Sequence, residues 1–218
     1  GPILFEYGER LRLTLVNDLT AVALALPALG DADARPLGPD RAGDARAPCA
    51  VVAPGTGLGV SGLMPCPDGG ATALGGEGGH AGLAPVDART EAVIRHVTDG
   101  GLRASPDRLL SGDGLRRIYA ALAGCAPDDA PAAADMAPMA GTDAAAAETL
   151  DVFAHWLGAF TGDVVLTRGA RGGAWIGGGV VPALGERFDA ARFRQGFEAK
   201  GRFADYMAGI PTRLIVAG

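Results

Sequence analysis

Lysine is nearly absent: Lys200 is the sole lysine among 19 basic residues, and aromatic residues make up only 6% of the chain. Cysteine occurs three times, as Cys49, Cys66 and Cys125, with no CxxC pair. That spacing offers neither a disulfide framework nor a zinc cage and fits a reducing compartment. No apolar run reaches the roughly 20 residues that span a bilayer, and no basic-then-apolar leader opens the chain. The reading is a cytoplasmic protein without a membrane partner. Positive charge is also outweighed, 19 Lys and Arg against 25 Asp and Glu, for a net charge of −6 and a pI near 5.0. Such a surface repels phosphate backbones and argues against a nucleic-acid partner.

Glycine and apolar residues are plentiful. With 48% hydrophobic and 20% charged residues, the 218-residue chain can bury a core and is not a disordered segment. Its 35 glycines show no three-residue period, which excludes collagen. They cluster, as at Gly55-Gly57-Gly59 and Gly177-Gly178-Gly179, where the chain must turn sharply or approach something closely. A glycine-lined turn can bind an anion whatever the net charge.

Local patterns give the expected elements. Arg12 to Val16 predicts a strand, and Thr20 to Leu29 a helix broken by Pro27 and ended by Gly30. Asp31 to Pro48 reads as a loop with a short strand. Cys49–Ala53 and Val60–Met64 predict two strands joined by the Gly55–Gly59 corner. Thr72 to His80 predicts a strand running into a glycine loop. Ala88–Val97, Pro106–Leu110 and Gly112–Leu122 predict helical segments, and Ala123–Pro138 a loop or weak helix. Within Thr142–Thr167, Leu150, Phe153, Leu157, Phe160 and Val164 recur at helical spacing and define a face that must be buried. Gly172–Gly179 predicts a strand and glycine turn, with Pro182 starting a helix, and Arg213–Val216 a last strand. Alternating strands and helices argue an α/β fold in a single unit, residues 1–218.

Three clusters could carry chemistry. Asn17-Asp18 ends a strand and precedes a helix, at the sheet edge where α/β proteins place ligands; a helix N-cap accounts for the same pair. Gly55-Thr56-Gly57-Leu58-Gly59 offers backbone N–H groups and one hydroxyl to a phosphate, or is simply a tight hairpin; no Lys-Ser/Thr follows, so it is not a Walker A loop. Glu77-Gly78-Gly79-His80 supplies an acceptor and a switchable donor, a set suited to sugar hydroxyls. A metal is the weaker reading there, for want of a third ligand, and no residue is assigned to one. His96 and His155 fall on predicted helices with no role.

Taken in order, the segments resemble the bacterial glucokinase family. The resemblance rests on Val16-Asn17-Asp18-Leu19-Thr20-Ala21-Val22-Ala23, then Ala53-Pro54-Gly55-Thr56-Gly57-Leu58-Gly59-Val60, then Gly75-Gly76-Glu77-Gly78-Gly79-His80 with Leu83-Ala84-Pro85. Arg108 to Leu115, Gly172 to Pro182, and Phe197–Phe203 with Ile210-Pro211 continue it, so it spans Leu13 to Val216. It implies an actin-like (ribonuclease H-like) ATPase lobe, a mixed sheet with packed helices, and a cleft that binds glucose and ATP with Mg2+. By position, Asp18 would be the general base and Asn17, Glu77 and His80 sugar ligands. Asp107 stands where the family carries a glutamate on the sugar, one methylene shorter. Gly55, Thr56 and Gly57 would meet the phosphates, and Gly178 and Gly179 the adenosine side. A homodimer is kept open.

The ends depart from the family. Gly1–Gly8 does not follow its pattern, no Asp-x-Gly-Gly-Thr phosphate loop occurs in the 218 residues, and a closing Gly-Leu-Leu-Gly-Ser-Gly is also lacking. The expectation is the larger C-terminal part of a glucokinase, with the N-terminal lobe largely absent and catalysis incomplete. Two other readings stand beside it. The related repressor/kinase sugar proteins would need a cysteine cluster after the sugar loop, which is lacking. A sugar-binding or regulatory remnant would have no kinase activity.

Overall fold

A computed structural model describes residues 3–7 and 11–216. Of Gly1–Gly8, Gly1, Pro2 and Gly8 lie outside the described residues, while Ile3–Tyr7 form β1 and pair antiparallel with β2 (Leu11–Leu15). All other described strands join one mixed sheet. These are β3 (Ala34–Pro36), β4 (Cys49–Pro54), β5 (Leu58–Pro65), β6 (Ala71–Ala73), β7 (Gly173–Ile176) and β8 (Thr212–Ile215), in the order β3-β8-β7-β4-β5-β6. The central β8-β7-β4 run is parallel, and its neighbours on both sides are antiparallel.

β4, central in the sheet with β7 on one side and β5 on the other, is buried on both faces. Ala50 and Val52 belong to the main core, whereas Val51 joins a smaller cluster with Ala23, Leu26 and Leu63. That cluster lies under α1 (Asp18–Ala25), which continues as a single 3-10 turn, Leu26–Ala28, around Pro27. The main core is organised by α6 (Ala144–Arg168). Asp143 caps its start by accepting from the N–H groups of Ala145 and Ala146, and Gly169 ends it in the left-handed conformation at φ +60°. All five residues of the expected buried face are buried, and so is Trp156, whose Nε1 donates to Ala84 O at 2.9 Å. Buried Thr149 and Thr161 donate back to the carbonyls of Ala145 and Leu157, which satisfies their hydroxyls inside the helix.

Around α6 pack α2 (Ala88–Asp99), α4 (Gly112–Ala123), α5 (Ala133–Met139) and α8 (Ala190–Glu198), while α3 (Pro106–Leu109) packs on α4. The α6–α8 contact is backbone against backbone. A Cβ on Gly158 would overlap the Phe193 carbonyl, and one on Gly196 the His155 carbonyl, so neither site admits a side chain. Two short helices, α7 (Val180–Leu184) and α9 (Ala204–Ala208), complete the described elements. No helix among the described residues is long and apolar enough to cross a membrane. The three cysteines are free thiols.

Two local expectations are corrected. The strand expected over Thr72–His80 is only Ala71–Ala73, because four of the next six residues are glycine and cannot hold a ladder. Leu74 N still donates to Gly62 O at 2.7 Å, then the chain leaves the sheet and closes a 3-10 turn over Gly78–His80. Pro182 does not start its helix. α7 begins at Val180, and the proline sits in the first turn, where a missing N–H costs no hydrogen bond.

Candidate functional site

The start of α1 forms one wall of a cavity. Asn17 is the N-cap: its Oδ1 accepts from Leu19 N at 3.0 Å and Thr20 N at 3.3 Å. The capping account of this pair therefore holds for Asn17, and its NH2 group has no protein partner among the described residues. Asp18 takes the first helical position. Its Oδ1 accepts from Leu19 N at 2.7 Å, and the residue is exposed. Leu19 lies on Gly59, where a Cβ would come within 2.6 Å of Leu19 Cδ2, so glycine lets α1 descend onto the start of β5. Opposite stands the loop of Gly75, Gly76 and Glu77. These two walls and a floor of Gly59, Val60 and Ser61 enclose about 210 Å³, lined also by Leu19 and Thr20. Asn17, Asp18 and Glu77 thus reach one polar cavity although about 60 residues separate the two segments.

His80 and Asp107 lie outside that lining. The His80 Nε2 is 4.0 Å from Glu77 Oε2, with the two side chains 66% and 87% exposed, so no tight pair orients either group. The His80 carbonyl accepts from Arg103 Nη1 at 3.2 Å. Asp107 is turned to the hairpin: its Oδ1 accepts from Leu58 N at 2.9 Å, and a Cβ on Gly57 would run into that oxygen. Gly79 packs just as closely, on the Leu58 carbonyl. Sequence reasoning overlooked Ser61, whose only signal was a polar residue in an otherwise apolar strand.

A second cavity, about 380 Å³, opens at the carboxyl ends of parallel β4 and β7, the place where open α/β sheets take ligands. Gly55, Thr56 and Gly179 line it together with Leu115 of α4, Ala133 and Ala134 of α5, and Val180, Ala183 and Leu184 of α7. The two glycine turns are locked together here. Gly177 N donates to Val52 O at 2.9 Å, and Gly178, at φ +73°, lies so close to the Pro54 carbonyl that a Cβ would overlap it. Gly112 N donates to Gly55 O at 2.9 Å and ties the hairpin to the start of α4. Gly57 and Gly178 shape these turns without lining the cavity. Volume and exposed backbone fit a nucleotide. No carboxylate lines this cavity, and no group of three His, Cys, Asp or Glu side chains among the described residues could cage a metal, so no step is assigned to magnesium.

The strongest charge cluster lies apart from both cavities. Partial burial pushes the Asp151 carboxyl up, but hydrogen bonds and charge from Arg192 and Arg89 outweigh it and hold the group below its ordinary range. Burial, then the charge of Arg192, lowers the pKa of His155. None of these residues lines either cavity, and they serve to tie α2, α6 and α8 together.

Comparison with known proteins gives the family. The sequence model of the glucokinase family matches residues 7–218. A glucokinase of Chromobacterium violaceum is 44% identical over 216 residues, covering 94% of this chain and 60% of its own length. The bifunctional protein glk of Paraburkholderia xenovorans is 44% identical over 212 residues, 94% of this chain and 32% of that protein. The crystal structure of a glucokinase from an Antarctic psychrotroph superposes with a TM-score of 0.85 at 31% identity, over 93% of this chain and 64% of that one. The chain therefore spans between about a third and two thirds of the proteins it matches. The fold is that of the actin-like sugar kinases, and the chain belongs to the glucokinase family.

Proposed function

We propose that residues 1–218 correspond to the larger C-terminal part of a glucokinase, which transfers the terminal phosphoryl group of ATP to glucose in the cytoplasm. The observation that carries the reading is the polar cavity where Asn17, Asp18 and Glu77 meet, together with a second cavity walled in part by glycine turns. In this reaction the sugar 6-hydroxyl oxygen bonds to the γ-phosphorus, the bond to the β–γ bridging oxygen breaks, and ADP leaves. The hydroxyl proton goes to the Asp18 carboxylate, which stands exposed at the cavity. A positioned base of this kind contributes about 10²–10⁴ in rate. The Asn17 NH2 donates to a sugar oxygen while its Oδ1 stays on the helix cap. Glu77 accepts from a hydroxyl, and His80, whose Nε2 is 4.0 Å from Glu77 Oε2, joins it on the sugar.

Asp107 is assigned a share in sugar binding through its second oxygen, since Oδ1 is held by Leu58 N. The backbone of Gly55 and Thr56 meets the phosphates and Gly179 the adenosine side, while Gly57 and Gly178 hold the two turns in shape. Phosphoryl transfer depends on alignment and charge stabilisation more than on covalent chemistry. The 218 residues contain no Asp-x-Gly-Gly-Thr to grip the phosphates from the other side, and a misplacement of about 1 Å costs on the order of 10²-fold.

Calorimetry with glucose and, separately, with a non-hydrolysable ATP analogue tests the reading, with a coupled assay on the same chain. Binding of both ligands with turnover below about 1 s⁻¹, the low end of ordinary enzyme rates, is expected. Glucose binding alone would make the chain a sugar-binding element. Binding of neither would refute the assignment, and turnover above that value would show that one-sided phosphate contacts suffice.

A further inference from the structure

Arg168 is the last residue of α6, about 90 residues from Glu77 in sequence, yet its side chain reaches the base of the loop that carries Glu77. Its Nη1 donates to the Leu74 carbonyl at 3.1 Å. That carbonyl also faces Ser61 Oγ at 3.4 Å, and Ser61 lines the polar cavity. The guanidinium is pressed against two more backbone sites. Cβ atoms placed on Gly62 and Gly76 would lie 3.1 Å from Nη1 and 3.4 Å from Nη2. One planar group thus touches β5 and the start of the loop together.

The contact falls at the last anchored residue before a free joint. Leu74 N donates to Gly62 O, and the next backbone bond along the loop is His80 N to Glu77 O. Gly75 and Gly76, the joint between these anchors, make no protein hydrogen bond among the described residues. Glycine backbones have the widest conformational range of any residue, so the direction in which Glu77 leaves the sheet depends on how firmly Leu74 is held. A hydrogen bond from a charged guanidinium is about twice as strong as a neutral one. The cation also sits where the α6 carbonyl ends favour positive charge. Its partial burial, which lowers the arginine's pKa, reflects how closely it is packed under the loop.

We propose that Arg168 is a positioning residue for sugar binding: it fixes the Leu74 carbonyl and thereby holds Glu77 over the cavity of Asn17 and Asp18. The proposal rests on the reading of that cavity as the sugar site. The test uses Arg168→Met and Arg168→Lys, with hydrogen exchange of the bonded Leu74 and His80 amides that anchor the loop, glucose affinity and ATP-analogue affinity as readouts.

In Arg168→Met, the Leu74 and His80 amides are expected to exchange about tenfold faster while those of β4 and α6 are unchanged. Glucose affinity is expected to fall about tenfold, the scale of one lost charged hydrogen bond, and ATP-analogue affinity to stay within about twofold. Arg168→Lys, which keeps the charge and a donor, should lie between wild type and Arg168→Met in both loop exchange and glucose affinity. Wild-type exchange in Arg168→Met, a loosened loop with unchanged glucose affinity, or equal losses for both ligands would each overturn the proposal. Should Arg168→Met fail to fold, Arg168→Lys decides alone, and wild-type glucose affinity with wild-type loop exchange in it overturns the proposal. A wild-type chain that binds no glucose would instead refute the sugar site, while the exchange difference would still report whether Arg168 holds the loop.

Discussion

The two cavities are built from opposite materials. The smaller is lined by side chains that ionise or hydrogen-bond, Asn17, Asp18, Thr20, Ser61 and Glu77, delivered by one helix, one strand and one loop. The larger is lined by backbone and small apolar side chains, with Thr56 the one polar side chain in its wall. The first can distinguish a ligand by its pattern of donors and acceptors. The second offers a ligand mainly its shape. Substitution should therefore act differently on the two: removing a functional group damages the first, and adding a methyl group damages the second.

The largest expected effect is on the first cavity. Asp18→Asn, in a kinase that carries both this part and a first phosphate loop, should lower turnover by about 10²–10⁴ while sparing glucose affinity. Steady-state rates beside a binding titration check it, and near-normal turnover would leave Asp18 as only a first-turn helix residue. Gly178→Ala tests the second. It places a Cβ at φ +73° against the Pro54 carbonyl, and strain of about 1–3 kcal/mol in that turn should weaken ATP-analogue binding at least tenfold with glucose affinity unchanged. Calorimetry with the two ligands on one sample would show whether the effects separate.

Glu77→Ala and His80→Ala should each weaken glucose by about tenfold and the nucleotide much less. Equal losses would mean that the loop serves only the fold. The smallest effect concerns the base. A wall without side-chain amides or charges cannot reject an isostere strongly, so ITP should replace ATP within about tenfold in affinity, measured by competition. A preference of a thousandfold would reveal a base-reading group supplied from elsewhere.

Local pattern made much of this legible. The Gly55–Gly59 corner, the buried face of α6 and the Asn17-Asp18 turn follow from turn chemistry and periodicity, which depend on neighbours in sequence. What stayed hidden depends on partners far along the chain. Nothing near Asp107 tells that it anchors Leu58 N, and nothing near Arg168 tells that it reaches Leu74, 94 positions away. The sheet order is hidden for the same reason, since β7 must be inserted between β4 and β8 before the glycine turns can meet. The helix α5 was blurred by Pro138 within it and by an uncapped start at Ala132. That mattered, because Ala133 and Ala134 wall the larger cavity.

The contact between α6 and α8 has a mechanical consequence. Where two helices meet through side chains, small displacements are absorbed by rotamer changes. At Gly158 and Gly196 no rotatable bond lies between the backbones, and Gly162 extends the contact towards Phe197 and Lys200. Sliding one helix along the other would require a jump of about one turn, roughly 5.4 Å, rather than a gradual shift. The pair therefore behaves as a stiff beam. Arg168 extends from one end of that beam to the base of the loop that carries Glu77, so any movement of that loop has to bend the loop itself, because the beam does not yield.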